Sequence, residues 1–329
     1  SIAANIRKIF KNKILTKEKE GVYKDFEDNR IGKIVMGTII GKERESREVI
    51  GFRVDLDRIY GFLPNEEAVF SDKYGIGKKY KFLLVEVRED DGQKRIILSR
   101  RSHDFIKELL RQQIPEVKEG YVIIKKIVRE PGIRTKISVS SENSKLDPLG
   151  ACVGPRAQRI SEIRKIIGEK LDVIQYSDSL DEYIKNSLKP ATIKKIIINK
   201  RKKRVLVIVP DDTEQLGHAL GRNESNRTLT GELIGMYVEI KKEDDYKKQL
   251  EKERNALLVS RSVLLGIKGI DEGTALGLTQ LYGTLEDISL LDPVEIMDEF
   301  PEIKKRKASK IIELAKANIG RLYEGTKEK

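Results

Sequence analysis

Two glycine-containing turns carry the residues in this sequence that are best suited to hold a phosphate. The first is Gly154-Pro155-Arg156-Ala157 and the second, 67 positions later, is Gly221-Arg222-Asn223-Glu224; each precedes an apolar-periodic run. A helix N-terminus leaves backbone N–H groups unpaired and carries a partial positive charge, so it attracts a phosphate that can approach closely. Glycine permits that approach because it has no Cβ, and arginine adds a fork of donors. The spacing therefore predicts two anion-binding turns in one chain.

The first turn keeps most of this chemistry. Ala157 stands where a second glycine would complete a Gly-x-x-Gly motif, and one methyl group at the start of a helix is compatible with the backbone geometry. A merely structural turn is the alternative. We expect this turn to bind RNA phosphates through Gly154, Pro155, Arg156 and Arg159.

The second turn ends in Glu224, whose carboxylate would repel a phosphate. The same side chain at a helix N-terminus stabilises the helix by about 0.3–1 kcal/mol, which favours a structural role. Both roles stay open for this turn, with weaker RNA binding expected than at the first. The residues predicted to contact RNA here are Gly221, Arg222, Asn226 and Arg227, together with Lys200, Arg201 and Lys202 in a basic hairpin turn upstream.

The charge of the chain is concentrated in its front part. The 329 residues contain 65 Lys and Arg against 53 Asp and Glu, a net charge of +12. Residues 246–329 hold 15 basic and 14 acidic residues, so nearly all of the excess lies before them. This distribution predicts a polyanion partner for the front and a different role for the tail, with simple solubility as the alternative.

Composition argues against several classes of protein. Cys152 is the only cysteine and there are two histidines, so the sequence predicts no disulfide, no metal site and no cofactor. No stretch approaches the roughly 20 apolar residues of a membrane span, and the first residues lack a signal-peptide core. We expect a cytoplasmic protein without a membrane partner.

The elements that must position these residues fall into successive segments. Residues 1–29 predict one charged linking helix, and residues 30–101 contain five short β-rich runs. Five strands in that length favour a small closed barrel of the oligonucleotide-binding (OB) type, resembling the S1 RNA-binding domain. On its open face, aromatic rings could stack on bases, or could belong to the core. These aromatic residues are Phe52, Tyr60 and Phe62.

An internal repeat follows the barrel, over residues 102–177 and 178–245. Each copy reads as a β-hairpin, a helix, the glycine turn, a second helix and a strand. A glycine turn between paired helices, beside a three-stranded sheet, clamps about four nucleotides in KH domains. Because the strands precede the paired helices, the sequence predicts two type II KH domains.

Residues 246–329 predict a helical domain of the helix-hairpin-helix type, with Ala275 and Ala308 at equivalent positions. A DNA-binding hairpin would show Gly-apolar-Gly, whereas the turns here are Gly269-Ile270-Asp271 and Glu302-Ile303-Lys304. The acidic residues favour docking to a protein over binding to phosphate. The whole chain is thus predicted to be a multidomain α+β protein.

Several local strings resemble the bacterial NusA family of transcription factors: "REPGIRTK", "DPLGACVGPR", "GEKLDVIQYSD", "LKPATI" and "VIVPDD". The resemblance implies a monomeric RNA-binding elongation factor that associates with RNA polymerase and nascent single-stranded RNA. Such a factor modulates pausing, intrinsic termination and antitermination. Its polymerase-binding N-terminal domain is expected to be missing apart from an exit helix at residues 1–29. The helical tail would bind other transcription factors or a ribosomal protein.

Two other functions use the same modules, namely RNA processing beside a phosphorolytic nuclease and a role on the ribosome. The sequence offers no domain of catalytic size, and Asp211 and Asp212 are predicted to form a helix N-cap pair. We therefore expect no enzymatic activity.

Overall fold

The computed structural model describes residues 17–18, 20–90, 93–320 and 322, and the chain divides into two compact units after Ile240. The first unit contains a closed barrel and two three-stranded sheets with flanking helices, and the second is helical. The predicted mixture of α and β structure with a helical C-terminal part is therefore confirmed. Within the part of the chain described, no helix has the length and apolar character required to cross a bilayer.

The barrel has five strands, in the neighbour order β1-β2-β3-β5-β4, and pairing of β1 with β4 closes it. Only β3 and β5 run parallel. The strands are β1 (Ile34–Glu45), β2 (Glu48–Asp55), β3 (Tyr60–Pro64), β4 (Lys79–Asp90) and β5 (Gln93–Ser99). Alternate apolar residues such as Val54, Leu63 and Ile96 fill the interior. Closure leaves no exposed sheet edge, as the run of short strands predicted.

The described part of the predicted linking helix belongs to the barrel. Helix α1 covers residues 20–29, and its Phe26 packs in the barrel core. Glu27 forms an ion pair with Lys94 of β5, with Oε2 and Nζ 3.0 Å apart. Residues 1–16 and 19 of the predicted helix lie outside the described residues.

The first repeat begins with two helices that pack beneath its sheet. Its elements are α2 (His103–Gln113), α3 (Pro115–Lys118), β6 (Ile123–Glu130), β7 (Arg134–Ser140), α4 (Pro148–Val153), α5 (Gln158–Ile167) and β8 (Lys170–Gln175). Strand β7 lies in the centre of the sheet, antiparallel to β6 and parallel to β8. Phe105 and Ile163 are among the fully buried core residues.

The second repeat has the same order of elements. They are α6 (Leu180–Leu188), β9 (Lys195–Asn199), β10 (Arg204–Val209), α7 (Thr213–Leu220), α8 (Ser225–Ile234) and β11 (Tyr237–Lys242), with β10 in the centre of the sheet. Asp212 caps α7 by accepting a hydrogen bond from the backbone N–H of Glu214, which confirms the predicted cap for that residue. Each repeat thus places its glycine turn between two helices.

Two buried arginines join the barrel to the first repeat. Arg100 donates from Nε to Asp72 in the barrel at 2.6 Å and from Nη2 to the carbonyl of Ile166 on α5 at 2.9 Å. Arg129 forms a bidentate ion pair with Glu169 and also donates to the carbonyl of Arg100. Removing one partner from a buried pair of this kind costs about 3–5 kcal/mol, so these arginines couple the barrel to the first repeat.

The second unit consists of five helices over the described residues beyond Ile240. They are α9 (Glu243–Leu265), α10 (Glu272–Tyr282), α11 (Leu285–Ser289), α12 (Pro293–Glu299) and α13 (Lys305–Asn318). Ala275 and Ala308 are both fully buried, in agreement with their equivalent positions in the sequence. The acidic residue of the turn Gly269-Ile270-Asp271 has a structural role, since Asp271 caps α10 by accepting a hydrogen bond from the Thr274 N–H at 2.7 Å.

Candidate nucleic-acid interface

The two glycine turns have the same backbone conformation. Gly154 and Gly221 have φ/ψ of 71°/174° and 73°/174°, and each is followed by a single 3-10 turn. The last residue of each turn, Ala157 and Glu224, is left-handed, with φ of 57° and 58°. Left-handed conformations cost non-glycine residues about 1–2 kcal/mol, so both turns retain the shape of a Gly-x-x-Gly turn at some cost in stability.

One side chain in each turn holds it closed. Arg159 donates from Nη1 to the carbonyl of Ala151 at 2.7 Å, and the equivalent Asn226 donates from Nδ2 to the carbonyl of His218 at 2.8 Å. A Cβ added to Gly154 would lie 2.7 Å from Cγ of Arg159, and a Cβ added to Gly221 would lie 2.7 Å from Cβ of Asn226. Glycine is therefore needed for this close approach as well as for its positive φ.

These contacts give Arg159 and Asn226 a structural role, while the RNA contact predicted for each of them stays a prediction. The Arg159 guanidinium is also paired with Glu116 at 2.8 Å, and Asn226 is fully buried. In Arg159 only Nη1 is engaged, and its side chain is 28% exposed, so its other nitrogens stay open to a ligand. Both position the turn because they fill the space that the glycine leaves.

The arginine inside each turn remains accessible. Arg156 and Arg222 are exposed, and neither forms a hydrogen bond or ion pair with any residue that the structure describes. Pro155 is exposed beside Arg156, and Gly154 is half-buried. The first turn therefore exposes Pro155 and the Arg156 side chain to solvent, and phosphate binding there stays a prediction.

Glu224 engages the other cation of the second turn. Arg227 donates to Glu224 Oε2 from Nε at 3.0 Å and from Nη2 at 2.6 Å, and its Nη1 donates to the carbonyl of Val238. The predicted RNA contact by Arg227 would require this pair to open. Glu224 thus reduces the positive charge of the second turn in two ways, by its own carboxylate and by holding Arg227.

The basic residues of the β9–β10 hairpin, Lys200, Arg201 and Lys202, are all exposed. None of them lines the cavities described below. They form a separate cationic turn and are not brought together with Gly221.

Two of the three predicted aromatic residues of the barrel face the same cavity. Tyr60 and Phe62 line a cavity of about 500 Å³ together with Arg53, Lys94 and Arg95. Tyr60 is exposed, whereas the Arg95 guanidinium lies over the Phe62 ring at 4.3 Å. Phe52 points elsewhere: its ring packs on Tyr74 at a centroid distance of 4.7 Å, against the barrel core. For Phe52 this packing favours the core role, which the sequence left open beside stacking on bases.

A groove of about 380 Å³ runs beside the first glycine turn. Val153, Ala157 and Ile160 of the first repeat form one wall, and Asn186 and Pro190 of the second repeat contribute to the other. The sequence did not reveal this shared wall, because periodicity within one repeat carries no information about its neighbour.

The comparisons with known proteins agree with this architecture. Residues 100–176 match the model of the NusA-like first KH domain and residues 180–248 that of the NusA-like second KH domain. The chain is 32% identical over 244 residues to a protein of Halalkalibacterium halodurans, covering 74% of this chain and 62% of that protein. It is 33% identical to one of Bacillus subtilis, covering 62% of this chain and 56% of that protein. Both are named transcription termination/antitermination protein NusA.

A relative of the same name from Mycobacterium bovis is 30% identical over 247 residues, which cover 73% of this chain and 70% of the relative. The first four relatives are covered over only 53–62% of their length, so the chain spans little more than half of each. The paired KH domains and the extent of the Mycobacterium match show that the chain belongs to the NusA family of transcription termination/antitermination proteins.

Proposed function

We propose that this chain is an RNA-binding transcription factor, which associates with RNA polymerase and nascent single-stranded RNA and modulates pausing, intrinsic termination and antitermination. The single observation that carries the proposal is the pair of equivalent glycine turns, each presenting an exposed arginine, Arg156 and Arg222. The names of its relatives support the transcriptional role.

We assign the binding steps as follows. The turn Gly154–Ala157 holds the phosphates of a strand, and the adjacent groove of about 380 Å³ takes unstacked bases. The barrel, which we propose to be an S1 domain, adds stacking on Tyr60 and Phe62, with Arg53 and Lys94 near the backbone. Lys200, Arg201 and Lys202 add a sequence-independent electrostatic contribution.

For the helical unit, which we propose to be of the helix-hairpin-helix type, we infer a protein partner, either another transcription factor or a ribosomal protein. Leu281, Leu290 and Val294 are exposed apolar side chains, and Leu290 is 83% exposed. A monomeric, non-catalytic and cytoplasmic factor stays our prediction.

The experiment compares Arg156→Glu with the parent chain in binding a fluorescent 12-nucleotide single-stranded RNA of mixed sequence. Lys107→Glu is the matched control, since Lys107 is exposed on α2 and lines none of the cavities. A charge about 4 Å from a phosphate contributes about 1 kcal/mol in water, so reversal costs about 2 kcal/mol, or about 30-fold in affinity. Lys107→Glu should change affinity less than about twofold.

The salt dependence of the affinity provides a second measure. The slope of log affinity against log salt is negative, and losing one phosphate contact should reduce its magnitude by about 0.7. If Arg156→Glu and Lys107→Glu behave alike, the first turn is not a phosphate site. The same samples, incubated with Mg²⁺ and inorganic phosphate, test for RNA degradation, which would favour a processing enzyme.

A further inference from the structure

A cavity of about 510 Å³ separates the two repeats at a place that the sequence did not single out. One side is formed by the β6–β7 turn and the start of β8 in the first repeat, including Gly132, Arg134 and Lys170. The other side is the second glycine turn, with His218, Gly221 and Arg222. The cavity therefore joins the less favourable of the two turns to the neighbouring domain.

Arg134 lines this cavity, and its guanidinium has unused hydrogen-bonding capacity. Its side chain is 3% exposed, and its Nε donates to Asp172 Oδ2 at 2.6 Å. Its Nη2 is buried and has no partner among the residues that the structure describes. A buried guanidinium N–H without a partner is costly, so its retention points to a ligand that supplies the missing acceptor.

The same guanidinium lies against Gly221. A Cβ on Gly221 would come within 2.9 Å of Arg134 Nη1, so the absence of a side chain at Gly221 makes room for an arginine from the other repeat. Gly221 opens the turn that leads into α8, a ten-residue helix whose N-terminus carries a partial positive charge. Two independent sources of positive potential thus meet at one point.

The acidic groups around the cavity are already paired. Glu169 accepts from Arg129 at 2.7 and 3.0 Å and from the Gly132 N–H at 2.6 Å. Asp172 lies between Arg134 and Lys136, at 2.6 and 3.5 Å. His218 stands 3.8 Å from Glu214, and its buried Nδ1 has no partner within the described part of the chain. With the exposed Lys170 and Arg222 added, the cavity carries a positive potential.

We propose that this cavity binds a phosphate group, held jointly by Arg134 of the first repeat and by the backbone that follows Gly221 in the second. The inference rests on the proposed function, in which the group is a phosphodiester of single-stranded RNA; free inorganic phosphate has the same chemistry. Arg227 is held in an ion pair by Glu224, so Arg134 of the neighbouring repeat supplies a guanidinium to the second turn in its place. At the first turn, the equivalent space is filled by the side chain of Arg159.

The test observes Arg134 directly. In the full chain labelled with ¹⁵N-arginine, the guanidinium signals of Arg134 are assigned by the Arg134→Lys variant and followed by NMR. One titration uses the 12-nucleotide single-stranded RNA and another uses inorganic phosphate. We expect the Arg134 signals to shift with RNA, because the guanidinium gains an anionic neighbour.

Affinity measurements accompany the spectra. Arg134→Lys keeps the charge but loses the fork, and should weaken RNA binding about tenfold or more, the scale of one charge-assisted hydrogen bond. Arg204→Lys is the matched control, because Arg204 begins β10 as Arg134 begins β7, is exposed and does not line the cavity. It should bind RNA within about twofold of the parent.

The outcomes separate the two proposals. If RNA binds and depends on Arg156 while the Arg134 signals stay unchanged, the cavity is not a phosphate site and the proposed function stands. If inorganic phosphate shifts the Arg134 signals but RNA does not bind, the anion site is supported and the RNA-binding function is wrong. If neither ligand shifts them, the inference is overturned.

Discussion

Replacing Glu224 by glycine would test whether the second turn is a working phosphate site weakened by one side chain. Glu224 has φ/ψ of 58°/15°, and its carboxylate holds two nitrogens of Arg227. The change removes a negative charge, releases a cation and restores the residue that the backbone conformation favours. The effects on stability and on binding can therefore be separated.

The expected change in the free energy of unfolding is small. Glycine relieves about 1 kcal/mol of left-handed strain, but it adds about 0.4–1 kcal/mol of chain entropy to the unfolded state. The ion pair with Arg227 has a carboxylate that is 57% exposed and contributes about 0–1 kcal/mol. These terms nearly cancel, so we expect the stability of Glu224→Gly to lie within about 1 kcal/mol of the parent.

The expected gain in RNA affinity is larger. An exposed carboxylate about 4 Å from a phosphate repels it by about 1 kcal/mol in water. Removing that repulsion predicts about fivefold tighter binding, and the freed Arg227 could raise the gain to about tenfold. Because the effect is electrostatic and exposed, it should shrink strongly between 50 and 300 mM salt.

The assay is fluorescence anisotropy with the 12-nucleotide RNA at both salt concentrations. Ala157→Gly is the matched control, since Ala157 has the same conformation in the first turn and carries no charge; it should change affinity less than twofold. Glu224→Gln separates charge from strain, and should keep most of the gain. Should Glu224→Gly and Glu224→Gln both bind as the parent does at 50 mM salt, no phosphate lies near Glu224 and the reasoning fails.

Three further predictions concern buried groups. Burial lowers the pKa of Lys136 to about 7, although the nearby charge of Asp172 acts in the opposite direction. Because the same lysine in the unfolded chain keeps its proton to about pH 10, the free energy of unfolding should rise from pH 7 to 10 in urea titrations. Lys136→Met should flatten that rise. Arg100→Ala should lower the free energy of unfolding by about 3–5 kcal/mol in the same assay, as it strands Asp72. Burial raises the pKa of the Cys152 thiol to about 12, so a disulfide reagent at pH 7.5 should label it only after denaturation; rapid labelling of the native chain would contradict its burial.

Much of the architecture could be predicted because its signals are local. Strand runs, turn residues and the 67-residue repeat all act over short distances, and the structure has the closed barrel and both sheets. The glycine turns were found for the same reason. The roles of Arg159 and Asn226 were not, since a charged or polar residue near a turn has the same sequence pattern whether it faces solvent or fills the space beside glycine.

The misleading pattern lies in β7, "RTKISVS". Arg134, Lys136 and Ser138 share one face of the strand and alternate with Thr135, Ile137 and Val139, a pattern typical of a strand with one face in water. All three are buried, because the second repeat covers that face and Lys136 Nζ donates to the carbonyl of Ser187 at 2.6 Å. Contact between Arg134 and Gly221 arises only from this packing, so no spacing within either repeat could have indicated it.

The same packing determines how the two turns can act. Lys136 joins β7 to Ser187, and Lys126 of β6 donates to the carbonyl of Leu233 at 3.1 Å, so the repeats are held in one arrangement. A strand bound at the first turn would then meet the second at a fixed distance, at a high effective concentration. If the second turn binds RNA as proposed, its contact would add to the affinity even when that turn is weak alone. A rigid pair of unequal turns therefore tolerates Glu224, where two freely linked domains would lose the second contact.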